Sequence, residues 1–191
     1  MTIIDFFSFY SRNLINKIGE INFDAIVDVV NALDSTVSNK SKIYIVGNGG
    51  SAATASHMCN DLGVGLKMRG IRNFNVESLG DNVSVCTAIA NDTGYENIFY
   101  YQIKNKIQKN DILIAISCSG NSENIIKAVE YAKTMDAIIV GLTGFDGGKL
   151  KCLSNINLHV ETQQGEYGIV EDIHMIFDHM LFSYYKSLPL Q

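Results

Sequence analysis

The amino-acid sequence predicts an α/β protein built on a doubly wound parallel sheet, and two observations carry that prediction. From residue 42 onward, short β-branched runs alternate with helix-patterned stretches. Such alternation implies parallel strands joined by crossover helices. Two of these units, "IYIVGNGGSAA" and "LIAISCSGNSEN", share one plan: an apolar strand, a loop of Gly, Ser and Asn, then a helix. The carboxyl ends of strands form the binding crevice of an open parallel sheet, so two such loops face one ligand from two sides.

Residues 3–38 read as helix. Phe7, Tyr10, Leu14, Ile18 and Ile21 recur at spacings of three and four. Phe23, Ile26, Val30, Leu33 and Val37 repeat the pattern, with Asn22 as the N-cap between the two segments. The aromatics Phe6, Phe7, Phe9 and Tyr10 suit packing against another subunit as well as against their own domain. The strand candidates are "KIYIVG", "FNVES", "DILIAIS", "DAIIVGLTG" and "NINLHVE". Between them "SAATASHMCNDL", "DNVSVCTAIAND", "NSENIIKAVEYAKTM" and "GGKLKCL" suit helices or short turns. The closing "GIVEDIHMIFDHMLFSYY" sets Ile169, Ile173, Ile176 and Met180 on one helical face.

A chain of 191 residues that is 47% hydrophobic, with Pro189 its only proline, fits one domain with a helical extension. Net charge is −5 without a basic stripe, which argues against a general nucleic-acid binder. No apolar run approaches the ~20 residues that span a bilayer, so no membrane is expected. The start, "MTIIDFFSFYSRN", carries Asp5 in its apolar patch and lacks the basic region of a signal peptide. Cys59, Cys86, Cys118 and Cys152 are widely spaced, as reduced thiols of a cytoplasmic protein would be.

Gly47, Gly49 and Ala52 spell the dinucleotide fingerprint G-x-G-x-x-A. Its ribose-binding acid is missing, however: position 67 is lysine, and Glu77 lies 30 residues past Gly47. No G-K-[ST] of a P-loop occurs. "SCSGNS" presents Ser117, Ser119 and Ser122 at a helix N-terminus, where exposed N–H groups favour anions. Taken singly, Asn121 or Ser122 there could do no more than cap the helix. A sugar phosphate held by the Ser-rich loop, its carbon chain over "NGGS", accounts for both loops, and no nucleotide cofactor is expected. A dehydrogenase is the weaker reading. His57 and Asp61 sit four apart on one helical face, a spacing that suits two ligands of one zinc; a core or solvated histidine would need no metal. His159 reads as structural and Asp146 as a turn former.

Five ordered segments, "GNGGSAA…H", "AIANDTGYEN", "ISCSGNSENIIKA", "LTGFDGGKL" and "EDIHMIFDH", resemble the SIS (sugar isomerase) domain family. More closely, they resemble its phosphoheptose isomerases, from about residue 40 to residue 185. The resemblance implies a flavodoxin-like five-stranded parallel sheet, with oligomerisation helices over 1–40 and a sugar-phosphate-binding domain over 41–191. It implies a homotetramer with active sites at subunit interfaces. The implied reaction converts sedoheptulose 7-phosphate to D-glycero-D-manno-heptose 7-phosphate, for lipopolysaccharide or capsule. Carried over by position, Asn48, Gly49, Gly50 and Ser51 contact the sugar, and Asn91 and Asp92 line the site. Ser117, Cys118, Ser119 and Ser122 hold the phosphate.

Aldose–ketose isomerisation needs a base for the C–H, an acid for the carbonyl oxygen, and often a metal. The resemblance selects Asp61, with Glu171, as base and His179 as acid, and His57, Asp61, Glu171 and His179 as zinc ligands. Residues eight apart lie about 12 Å apart along a straight helix, so His174, three from Glu171, is a rival ligand. The chain departs from the family in Cys118 for threonine, Asp61 for glutamate and Glu171 for glutamine. It also has glycine where an arginine is usual after the first helix. A SIS-fold adapter that binds without turnover is the alternative, against which four ionisable residues argue.

Overall fold

The computed structural model describes residues 1–189. Two helices, α1 (Ile3–Gly19) and α2 (Phe23–Asn39), precede β1 (Lys42–Gly47) and α3 (Gly50–Cys59). Next come β2 (Asn75–Ser78), α4 (Val83–Thr93), β3 (Ile112–Ser117), α5 (Glu123–Thr134) and β4 (Ile138–Phe145). The chain closes with α6 (Gly148–Leu153), β5 (Ile156–Glu161) and α7 (Tyr167–Ser187). Every strand pairing is parallel, in the order β2-β1-β3-β4-β5. This is the flavodoxin-like order, whose switch point lies between β1 and β3. The carboxyl ends of those two strands carry the two Gly/Ser loops.

β1 and β3 are buried along nearly their whole length, as their unbroken apolar runs demand when helices cover both faces. One core layer joins Ile43, Ile45, Ile114 and Leu142 to Met58, Leu62, Phe177 and Leu181. The other joins Tyr44, Val46, Leu113 and Ile139 to Ile125 and Val129. A smaller cluster of Phe145, Val160, Ile169 and Ile173 is covered by Tyr10, Leu14, Ile18 and Ile21.

Helix ends follow local chemistry. Thr2 and Asp5 form a reciprocal capping box on α1. Asn22 Oδ1 accepts from the Asp24 and Ala25 amides, as its N-cap reading required. The faces are rotated from the expected ones in places. Phe7 is exposed, and α2 buries Ala25, Val29, Leu33 and Thr36 while leaving Phe23 and Val37 outside. In α7 the buried line is Ile169, Ile173, Phe177 and Leu181, with Ile176 and Met180 at its edge. Phe23, Ile26, Val30 and Met180 from the expected faces, with Val27 and Tyr184, line an open groove of about 430 Å³ between α2 and α7. No helix among the described residues is long and apolar enough to cross a membrane.

After α3 the helix does not stop. It widens into a π-turn over Asn60–Gly65, in which the Leu66 amide reaches back to the Asp61 carbonyl. Gly65 at its end lies close under α7: a Cβ there would lie 3.0 Å from the Phe182 ring. The glycine standing where an arginine was expected therefore brings the two helices together. Single π-turns of this kind concentrate at functional sites.

Candidate active site

The first loop leaves β1 at Gly47, where a side chain would collide with the Ser51 carbonyl. Gly49 has φ of 54°, a left-handed conformation that favours glycine, and precedes α3. Asn48 pairs reciprocally with Asn124 on α5. Asn48 Nδ2 donates to Asn124 Oδ1 at 2.9 Å, and Asn124 Nδ2 donates to Asn48 Oδ1 at 2.8 Å. The Tyr95 hydroxyl also donates to Asn48 Oδ1, at 2.9 Å. Sequence reading found Asn48 but neither of the partners that hold it.

The second loop leaves β3 at Ser117. Ser117 Oγ accepts from the Gly120 amide at 3.1 Å and lies 3.4 Å from Ser122 Oγ. Gly120 has φ of 63°, and a side chain on it would strike the Gly147 carbonyl. Ser122 begins α5 without a side-chain cap, which leaves its hydroxyl turned to the loop. Ser119 and Asn121 border a cleft of about 340 Å³ that reaches Asp146 and Glu161. Cys118 is buried beneath the loop. Burial first, then the Glu171 charge, pushes its thiol up to about 11, with a Ser51 hydrogen bond opposing.

The ionisable residues meet where α3 packs on α7. His57 Nε2 lies 3.5 Å from Asp61 Oδ2, 3.8 Å from Asp178 Oδ2 and 3.2 Å from His179 Nε2. Donor atoms of these four side chains all lie within 4.8 Å of one another. Both histidines face solvent, and the Asp178 side chain is fully buried with neither oxygen hydrogen-bonded. Burial, with the Asp61 charge added, raises its carboxyl to about 7.

Three of the sequence-selected residues, His57, Asp61 and His179, are thus brought together, and Asp178 joins them. Glu171 stands apart. Its carboxyl occupies the space a Cβ on Gly50 would take, at the start of α3. Gly50 faces Glu171 and His57 faces His179, so the two helices run in the same direction and keep Glu171 and His179 turns apart. His174 faces the sheet, its Nε2 3.4 Å from the Thr143 carbonyl, and burial draws its pKa down to about 4. His159 meets Thr143 Oγ1 at 3.0 Å, and burial lowers its pKa too. Asn91 and Asp92 are exposed at the end of α4, where Asn91 donates to Asp92.

The family model described as SIS domain matches residues 6–144. A phosphoheptose isomerase from Helicobacter pylori is 40% identical over 158 residues, covering 83% of this chain and 81% of that protein. A probable phosphoheptose isomerase from Thermoplasma acidophilum is 32% identical, covering 84% of this chain and 87% of that one. The structure of a phosphoheptose isomerase from Francisella tularensis superposes with a TM-score of 0.86 at 28% identity, over 98% of this chain and 100% of that one. The chain belongs to the SIS domain family and, within it, to the phosphoheptose isomerases.

Proposed function

We propose that the site interconverts sedoheptulose 7-phosphate and D-glycero-D-manno-heptose 7-phosphate. The observation that supports this reading best is the meeting of His57, Asp61 and His179 at the α3–α7 contact, with two small-residue loops at the carboxyl ends of the neighbouring strands β1 and β3. Ser117, Ser119 and Ser122 and the α5 N-terminus bind the phosphate, with Cys118 beneath them. Asn48, Gly49, Gly50 and Ser51 form the wall along the sugar carbons, and Asn91 and Asp92 line its rim.

In the reaction Asp61, with Glu171 as the second candidate, takes a proton from C1 of the ketose while His179 protonates O2. The product of that step is the enediol. Return of the proton to C2 and loss of the O1 hydroxyl proton give the aldose. Positioned groups of this kind contribute about 10²–10⁴ in rate. The donor chemistry, imidazole nitrogen with carboxylate oxygen, fits a divalent cation such as zinc. Bound by His57, Asp61 and His179, such an ion would polarise the sugar carbonyl.

The exposed apolar residues of α1 and the α2–α7 groove suit burial by further copies of the chain, in a homotetramer with active sites at its interfaces. The enzyme would act in the cytoplasm, supplying heptose for lipopolysaccharide or capsule. Incubation with sedoheptulose 7-phosphate, with and without chelator, tests the reading. Appearance of the aldose phosphate is expected. Binding without turnover would instead favour the adapter.

A further inference from the structure

We propose that Tyr95 is a positioning residue for the sugar: its hydroxyl holds the Asn48 amide so that one N–H is left for an acceptor oxygen of the substrate. The inference rests on the sugar-phosphate reading given above and adds to it a residue outside the set selected from the sequence.

The bonding capacity of the amide is the first argument. An asparagine side chain offers two N–H donors and an oxygen that accepts twice. Asn48 Nδ2 donates once to Asn124, and its Oδ1 accepts from Asn124 Nδ2 and from the Tyr95 hydroxyl. Three of the four positions are therefore filled within the protein, and the one left is an N–H. The main chain fixes this polarity. Asn124 Oδ1 also accepts from the Ile125 amide at 3.0 Å, so that side chain cannot turn over without setting two donors against each other. A free donor on Asn48 suits a hydroxyl or carbonyl oxygen of a sugar.

The backbone before Tyr95 is the second. α4 stops at Gly94, whose φ of 102° and ψ of 150° lie in a region that essentially only glycine enters. A side chain there would also strike the Glu96 carboxylate. Asn97, buried at the end of the turn, donates from Nδ2 to the Thr93 carbonyl and to Glu96 Oε1. The chain is thus held in a sharp bend, and Tyr95 reaches from that bend to the first loop.

Exposure supplies the third. Tyr95 is 58% exposed, so burial does not explain where its side chain lies. A hydrogen bond made in reach of water adds little to folding. What the bond does is join two parts of one site. Asp92 stands three residues before Tyr95, so a single hydroxyl ties the rim of the crevice to its sugar wall.

The test uses the full-length protein and Y95F, which keeps the ring and removes only the hydroxyl. Calorimetry with sedoheptulose 7-phosphate should show Y95F binding about 5- to 10-fold more weakly than native, the worth of one hydrogen bond. Steady-state kinetics should show a matching rise in KM, with kcat within about 2-fold of native. Competition by inorganic phosphate, which meets only the serine loop, should be unchanged, and so should thermal unfolding. In an N48A background, Y95F should weaken binding by less than about 2-fold more, because its effect runs through Asn48. Native affinity in Y95F overturns the proposal, as does a loss confined to kcat or an equal loss of affinity for phosphate. A full further loss on top of N48A would also overturn it, by making Tyr95 a direct contact of the sugar. Weaker sugar-phosphate binding in Y95F, without turnover by either protein, would leave Tyr95 in its role and remove only the proposed reaction. A native chain that does not bind the sugar phosphate overturns both.

Discussion

The loop after β1 and the loop after β3 leave neighbouring parallel strands and both run into helices, yet they differ in what holds them and in what they offer. Side chains fix the first, through the Asn48–Asn124 pair and Tyr95. Bonds to the β4–α6 region fix the second, mostly through its main chain: Leu150 N donates to Gly120 O and Gly144 N to Cys118 O, each at 2.9 Å, and Lys149 N donates to Asn121 Oδ1 at 3.0 Å. The hydroxyls cluster on the second loop, while the ionisable groups lie farther along α3. The helix that follows makes the difference. α5 spends its buried face on Ile125, Val129 and Ala132, whereas α3 packs on α7 and there meets Asp178 and His179. One local plan therefore serves two tasks, and partner packing decides which.

Substitutions separate the two tasks. The largest effect is expected at the α3–α7 contact: H179A or D61N should lower kcat about 10²–10⁴-fold while substrate still binds. Steady-state kinetics together with equilibrium binding of the sugar phosphate reads both quantities. A smaller effect of the opposite kind belongs to the second loop. S119A or S122A should raise KM about 10- to 100-fold with little change in kcat, the loss of one charge-assisted hydrogen bond to phosphate. A kcat defect in the serine variants, or a pure KM defect in H179A, would dissolve the distinction.

Chemical denaturation probes the clasp that ties the loops together. N124A leaves Asn48 without its partner and should cost about 1–3 kcal/mol in unfolding free energy. The smallest effect concerns the face of α7 turned to the sheet. His174 titrates near 4 in the fold and near 6.5 when unfolded, so the unfolded chain binds more protons between those values. Its contribution is whole above about pH 6.5 and drains away as pH falls to about 4, by at most about 3 kcal/mol. H174Q carries no proton-binding group there, so its stability should decline less over that window. Parallel acid limbs for the two proteins would show that His174 does not set that slope.

The sheet was legible because its strands are unbroken apolar runs whose spacing leaves room only for crossover helices. The two loops were legible because glycine and serine stand directly after those runs. His57, Asp61 and His179 could be picked out, but Asp178 escaped selection for a physical reason. It lies between Phe177 and Leu181, on a face that periodicity assigns to the core, and the carboxylate amid those apolar residues was the available signal. The π-turn was hidden because it is a main-chain pattern that no side chain of Asn60–Gly65 announces. Helix rotation was the least readable feature. α2 and α7 carry apolar residues on more than one face, and the sequence alone does not say which face meets the sheet and which the open groove.

The paired amides of Asn48 and Asn124 lie edge to edge like two bases, each donating one N–H to the other's oxygen. An aspartate at either position would set oxygen against oxygen and open the pair. A lone alanine would strand the other amide. Two positions 76 residues apart in the chain therefore depend on one another for their side-chain bonding. A change at either one undoes the clasp between the two loops unless the other changes to match it.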